Sequence, residues 1–115
     1  MMGSENSTSD ASARHLLVIG AGGNIGSHLV PLLARMPGVG RLTLIDRDYY
    51  EARNRVSQDI GDQDVGRAKV QVQAKRARRA NTALRVVALH TPVELLPLGA
   101  LRADMIVTCL DSRRG

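Results

Sequence analysis

A chain of 115 residues is long enough for one small domain, and with 43% apolar residues, two Tyr, no Phe and no Trp its core must be aliphatic. A single cysteine, Cys109, excludes an internal disulfide framework and a cysteine-based zinc site within the chain. No run approaches the roughly 20 apolar residues of a membrane span, and the first residues lack the apolar stretch of a signal peptide, so the expected location is the cytoplasm and no membrane partner is expected.

Residues 1–13 (MMGSENSTSDASA) are small and polar, and read as a disordered tail. The ordered domain is expected over residues 14–115. His15 to Ile19 is a short apolar run that stops at Gly20, the pattern of a buried strand. Gly20 to Gly26 forms a tight turn, and Ser27 to Met36 reads as a helix with Leu29, Leu32, Leu33 and Met36 at helical spacing. Pro37 and Gly38 end it. Arg41 to Asp46 is a second strand. A polar stretch covers residues 47–64, and a helix is predicted over Val65 to Ala80 with Val70, Ala74 and Ala77 on one face. Strands follow at Leu84–Leu89 and Asp104–Leu110, joined by an irregular connection.

Apolar strands alternating with helices predict an α/β fold: half of a Rossmann-like, doubly wound parallel sheet with helices on both faces. Right-handed crossovers give the strand order 3-2-1-4. Ligand chemistry then gathers at the C-terminal ends of the strands. The glycine turn, Asp46, Asp48 and Asp111 all fall there.

Gly20, Gly22, Gly23 and Gly26 lie between a strand and a helix, the context a nucleotide-binding turn requires. Glycines let phosphate oxygens approach the backbone, and the helix start offers free N–H groups. Close helix–sheet packing is the competing explanation, and the strand–turn–helix context favours nucleotide binding. Asp46 follows 26 residues after Gly20 and can hydrogen-bond a ribose. The simple dinucleotide pattern gives Asp48 no role, whereas two nearby carboxylates suit a magnesium–triphosphate site. Asn54, Arg55 and Gln58 could reach phosphates or a carboxylate. Lys69 lies in the first turn of the next helix, where dipole arguments disfavour a cation unless an anion sits between them. Taken alone, it reads as an ordinary exposed lysine.

Strand–GAGGNIGS–helix, LTLID-x-D, Asn54 with Gln58, DVG-x-x-K and a strand ending CLDS together resemble the ThiF/MoeB/HesA family, adenylating enzymes related to the ubiquitin-activating enzymes. The similarity covers about residues 15–112. It implies ATP and Mg2+ as cofactors and adenylation of the C-terminal carboxylate of a ubiquitin-like or sulfur-carrier protein, with release of pyrophosphate. By resemblance, Gly22 and Gly23 approach the phosphates and Asp46 holds the ribose. Asn54 and Lys69 contact the triphosphate, and Asp111 binds the metal near the α-phosphate. The chain departs from the family in three places. The family's glycine turn is one residue shorter, Ser57 stands where the loop usually has arginine, and Ser112 follows the final Asp where Asn is common. Arg55 is the expected substitute for the missing arginine. The family continues for roughly another hundred residues, so a truncated domain is expected, with weak or no catalysis by this chain alone.

The net charge of +5 is concentrated in Arg67, Lys69, Lys75, Arg76, Arg78, Arg79 and Arg85, with no acid between Asp64 and Glu94. Such a run reads first as a solvated helix face, and the lack of stacking aromatics beyond Tyr49 and Tyr50 weighs against nucleic acid. Cys109 within an apolar strand reads as a packing residue. His15, His28 and His90 form no metal spacing. An exposed sheet edge makes a homodimer a further expectation. The competing functions are an NAD-dependent oxidoreductase domain and a degenerate ATP-binding module.

Overall fold

The computed structural model describes residues 13–56 and 58–109. The expected tail through Ser12, Ser57, Asp111 and Ser112 lie outside the described residues. Four strands form one parallel sheet: β1 (Arg14–Ile19), β2 (Val39–Asp46), β3 (Arg85–His90) and β4 (Met105–Thr108), in the order β3-β2-β1-β4. The predicted order 3-2-1-4 is the one formed. Two helices join the first three strands, α1 (Asn24–Ala34) and α2 (Lys69–Ala80).

The pleat sends alternate strand residues to opposite faces. Leu16, Val18, Leu42 and Leu44 point to one face and pack with Val30 and Ala34 of α1 and Val70, Ala74 and Ala77 of α2. Both helices therefore cover the same face. This differs from the expected helices on both faces, and the connectivity explains it. The crossovers β1–α1–β2 and β2–α2–β3 step across the sheet in one direction, so their common right hand puts both helices on one side. The return from β3 to β4 must cross the sheet. It does so without a helix, through short 3₁₀ turns at Val93–Leu95 and Leu98–Leu101. Leu17, Thr43 and Ile45 on that second face are nevertheless buried.

Both helix starts differ from the pattern-based expectation. Helix α1 begins at Asn24, three residues early, because Gly23 serves as its N-cap. Its buried face is Gly26, Ser27, Val30 and Ala34, with Leu29 and Leu33 partly buried. Leu32 and Met36, expected on that face, are exposed. Helix α2 begins at Lys69, since residues 62–64 form a 3₁₀ turn and Val65 and Ala68 are extended. Val70, Ala74 and Ala77 are buried as expected.

Pro31 lies inside α1 and has no N–H to give to the Ser27 carbonyl one turn back. Arg76 Nη1 of α2 donates to that carbonyl instead, at 2.8 Å. At the other end of α1, Asn81 Nδ2 donates to the Ala34 carbonyl at 2.9 Å. Such bonds satisfy carbonyls that the helix leaves free. Among the described residues, no helix is long and apolar enough to cross a membrane.

The packing makes a sharp stability prediction. Leu17 is fully buried, so L17A should destabilise the protein by about 3 kcal/mol. Leu32 is 60% exposed, so L32A should change stability by less than about 0.5 kcal/mol. Urea unfolding of the two variants checks the ranking.

Candidate functional site

The turn after β1 is shaped by its glycines. Gly20 has φ +80°, a left-handed backbone that other residues adopt at a cost. A side chain on Gly26 would run into the Gly20 carbonyl and the Ala21 backbone, so α1 sits directly against the turn. A side chain on Gly22 would overlap the Lys69 stem and come within 2.9 Å of the Tyr50 hydroxyl. Gly23 is different. A Cβ there would meet nothing closer than 3.9 Å, so the protein's own packing does not require a glycine at that position.

Asp46, at the end of β2, is 9% exposed and faces this turn. Its Oδ2 accepts from the Gly22 N–H at 2.9 Å, and its Oδ1 accepts from the Asp48 N–H at 3.0 Å. The glycine turn and the strand-end acid are thus physically joined. Each carboxylate oxygen keeps a further lone pair for another donor. Asp48 does not join Asp46 in a shared carboxylate pair. Its side chain is exposed beside Arg47, 3.8 Å away, at the rim of a cleft.

The polar stretch after β2 folds back on itself. Tyr49 bridges Ala68 antiparallel, Tyr50 N–H donates to the Arg67 carbonyl at 2.9 Å, and Lys69 N–H donates to the Asp48 carbonyl at 2.8 Å. This return drives Lys69 against the glycine turn. Lys69 is only 8% exposed, contrary to its reading as a surface lysine. Its ammonium lies 5.3 Å from the centre of the Tyr50 ring, a cation–π contact, and it has no carboxylate partner among the described residues. The cleft is about 310 Å³ in volume, lined by Arg47, Asp48, Tyr49, Glu51, Arg53, Asn54 and Lys69. That falls at the lower end of small-ligand sites.

The other expected site residues divide. Asn54 lines the cleft, and its Oδ1 accepts from the Glu51 N–H at 2.7 Å. Gln58 Oε1 is buried without a partner among the described residues, and so is Asn24 Oδ1 in the first turn of α1. Arg55 is turned away: its guanidinium pairs with Asp62 and donates to the Ala52 carbonyl. Arg53 occupies the cleft instead, bonded to Glu51 at 2.6 Å. Asp111 lies outside the described residues. Sequence reasoning passed over Arg53, Tyr50 and Gln73. The only signal for Arg53 was its place in the same polar stretch as Asn54.

A family model for the ThiF family matches residues 2–115. The chain belongs to the ThiF family. It is 39% identical over 105 residues to the adenylyltransferase and sulfurtransferase MOCS3 of Bos taurus, an alignment covering 88% of this chain and 22% of that protein. It is also 31% identical to the E. coli tRNA N6-threonylcarbamoyladenosine dehydratase TcdA solved in complex with ATP, with a TM-score of 0.76 over 92% of this chain and 45% of that one. E. coli MccB with ATP gives a TM-score of 0.75 at 26% identity, over 90% of this chain and 31% of the other. The chain therefore spans about a fifth of the curated MOCS3 relative and less than half of TcdA.

Cys109, His15 and His90 do not line the cleft. Cys109 is buried, and burial raises its thiol pKa, as suits a packing residue. His15 Nε2 lies 2.7 Å from Thr43 Oγ1, and burial lowers its pKa. His90 Nε2 lies 3.0 Å from the Arg47 carbonyl. No group of three His, Cys, Asp or Glu side chains among the described residues could hold a metal.

Proposed function

We propose that this chain is the ATP-cradling part of an adenylating enzyme that acts on the C-terminal carboxylate of a ubiquitin-like or sulfur-carrier protein. The observation that carries the reading is the convergence of Gly22, Asp46 and buried Lys69 at the C-terminal ends of β1 and β2. A glycine backbone, an acid able to accept from a ribose hydroxyl and a cation are the groups a nucleoside triphosphate needs. Similarity to TcdA and MccB, both solved with ATP, supports it.

The residues present fit such a ligand. Gly23 is open on the side where its own protein sets no steric demand. The N–H groups of Asn24, Ile25 and Gly26 have no backbone acceptor among the described residues, and a helix start of this kind favours an anion. The orphaned amides of Asn24 and Gln58 can accept from a hydroxyl or, turned over, donate to a phosphate. A buried cation without a carboxylate partner is costly unless an anion joins it.

In the proposed reaction the carrier carboxylate attacks the α-phosphorus of ATP, forming a carboxylate–AMP anhydride while the bond to pyrophosphate breaks. Lys69 and Arg53 hold the negative charge of the departing pyrophosphate. Asp46 keeps the ribose in place. Gln58 and Asn54 orient the phosphates, and Gly20 and Gly26 fix the turn. Asp111 is the proposed ligand for Mg2+, which supplies further charge stabilisation when bound. Asp48, an exposed carboxylate lining the same cleft, would be a further oxygen ligand for that ion.

The direct test is exchange of labelled pyrophosphate into ATP. Exchange should depend on a carrier with a free C-terminal carboxylate and vanish with an amidated carrier. ATP binding without exchange on any carrier would leave an ATP-binding module in place of an enzyme. The same proposal separates two arginines. R53A should weaken Mg-ATP binding about tenfold, the scale of one charged hydrogen bond. R55A should change it less than about twofold, since Arg53 lines the cleft and Arg55 does not. Calorimetry on both variants reads the difference.

A further inference from the structure

Tyr50 is 1% exposed, the largest fully buried side chain among the described residues, and the adenylation reading gives it no task. Its hydroxyl donates to the Gly22 carbonyl at 2.7 Å. Gln73 Nε2, on α2, donates to the same hydroxyl at 2.9 Å. Gln73 Oε1 accepts from Arg76 Nη1 at 3.0 Å, and the same Nη1 donates to the Ser27 carbonyl at 2.8 Å. Arg76 Nη2 pairs with Asp59, whose N–H donates to Ser27 Oγ at 3.1 Å.

These bonds form one continuous strap. It starts on the glycine turn at Gly22, runs through Tyr50, Gln73 and Arg76, and returns to the first turns of α1 at Ser27. Every donor and acceptor along it is matched in direction. The Ser27 carbonyl is available only because Pro31 cannot bond it. Gln73 is fully buried, so water does not substitute for its partners. Burial also raises the Tyr50 pKa well above that of an ordinary tyrosine, so the hydroxyl stays a donor.

Tyr50 touches the proposed site twice. The hydroxyl holds one side of the Gly22 residue by its carbonyl, while Asp46 holds the other by its N–H. The ring face lies under the Lys69 ammonium at 5.3 Å. A single side chain thereby fixes both the backbone and the cation proposed to meet the phosphates.

We infer that Tyr50, seated by Gln73 and Arg76, is the positioning residue of the nucleotide site, holding the Gly22 peptide and Lys69 in the arrangement that receives a triphosphate. The inference rests on the adenylation reading only for the identity of the ligand.

Y50F and Y50L separate the two contacts. Y50F keeps the ring and loses the hydroxyl, leaving the buried Gly22 carbonyl and Gln73 amide without partners. It should weaken Mg-ATP binding about tenfold. Y50L also removes the ring beneath Lys69 and should weaken binding at least about thirtyfold. L84A, in the core before β3, supplies a comparison that is destabilised without touching the strap; its Mg-ATP affinity should match wild type. In ligand-free protein, the Gly22 and Gly23 amide resonances should move in Y50F and stay in L84A. Y50F that binds Mg-ATP like wild type, or loses no more affinity than L84A, overturns the inference. So does an unmoved Gly22 amide. Wild-type protein that fails to bind Mg-ATP, with the Gly22 amide still shifted in Y50F, overturns the choice of ligand and not the strap's hold on the turn.

Discussion

Lys69→Met should weaken Mg-ATP binding about 100-fold and leave the unliganded protein at least as stable as wild type. Lys69 is buried with its stem against Gly22 and its ammonium over the Tyr50 ring, and no carboxylate neutralises it among the described residues. A buried cation of this kind opposes folding, and an apolar side chain of similar length removes that cost. The same charge is the strongest attraction the site offers a triphosphate. Truncating one partner of a buried charge pair costs about 2–5 kcal/mol, from which the affinity loss follows. A purely structural lysine would give the opposite pattern, with lower stability and unchanged binding. Calorimetric titration and thermal melting on one preparation distinguish the two.

Gly26→Ala should destabilise the protein by about 3 kcal/mol, a large share of the stability of a small domain. The new methyl group would strike the Gly20 carbonyl and the backbone of Ala21. Backbone cannot rotate away as a long side chain can, so α1 must move off the turn. That motion also pulls Ser27 from Arg76 and Asp59, loosening the strap at its far end. The expected result is a melting temperature lower by many degrees, with Mg-ATP failing to restore it fully. Gly23→Ala is the natural comparison. Its Cβ meets only ordinary contacts at 3.9 and 4.0 Å, so the fold should tolerate it. Any loss on G23A should fall on nucleotide binding.

Much of this architecture was readable in the sequence because it is written locally. His15 to Ile19 followed by glycines, and Leu42 to Asp46, carry their strand character in a few consecutive residues. The right-handed crossover rule then orders the sheet. Asp46 was legible for the same reason: it ends a strand that the rule places beside the glycine turn. The helix starts were not, since a glycine cap at Gly23 and a turn through Gly66 before Lys69 lack strong local signals. Nor was the shared face of the two helices, which depends on two helical crossovers stepping across the sheet in the same direction.

The fate of single charged or aromatic residues was least legible. Tyr49 and Tyr50 are neighbours, yet one is 58% exposed and the other 1%. The difference arises from pairing with Arg67 and Ala68, far along the chain. The basic run divides in the same way. Lys75, Arg78 and Arg79 face solvent as a charge run suggests, while Lys69 and Arg76 turn inward to the glycine turn and to Asp59. Arg53 lines the cleft where Arg55 was expected, and Arg55 pairs with Asp62. Long-range contacts decide each case, and residue periodicity carries no record of them.

The glycine turn at Gly22, with Asp46 and Lys69 beside it, is proposed to receive ATP. Calorimetric titration of the protein with Mg-ATP, AMP and NADH side by side tests it most directly. The expected result is saturable binding of Mg-ATP, weaker binding of AMP for want of the outer phosphates, and none of NADH. Binding of NADH with no response to Mg-ATP would contradict it.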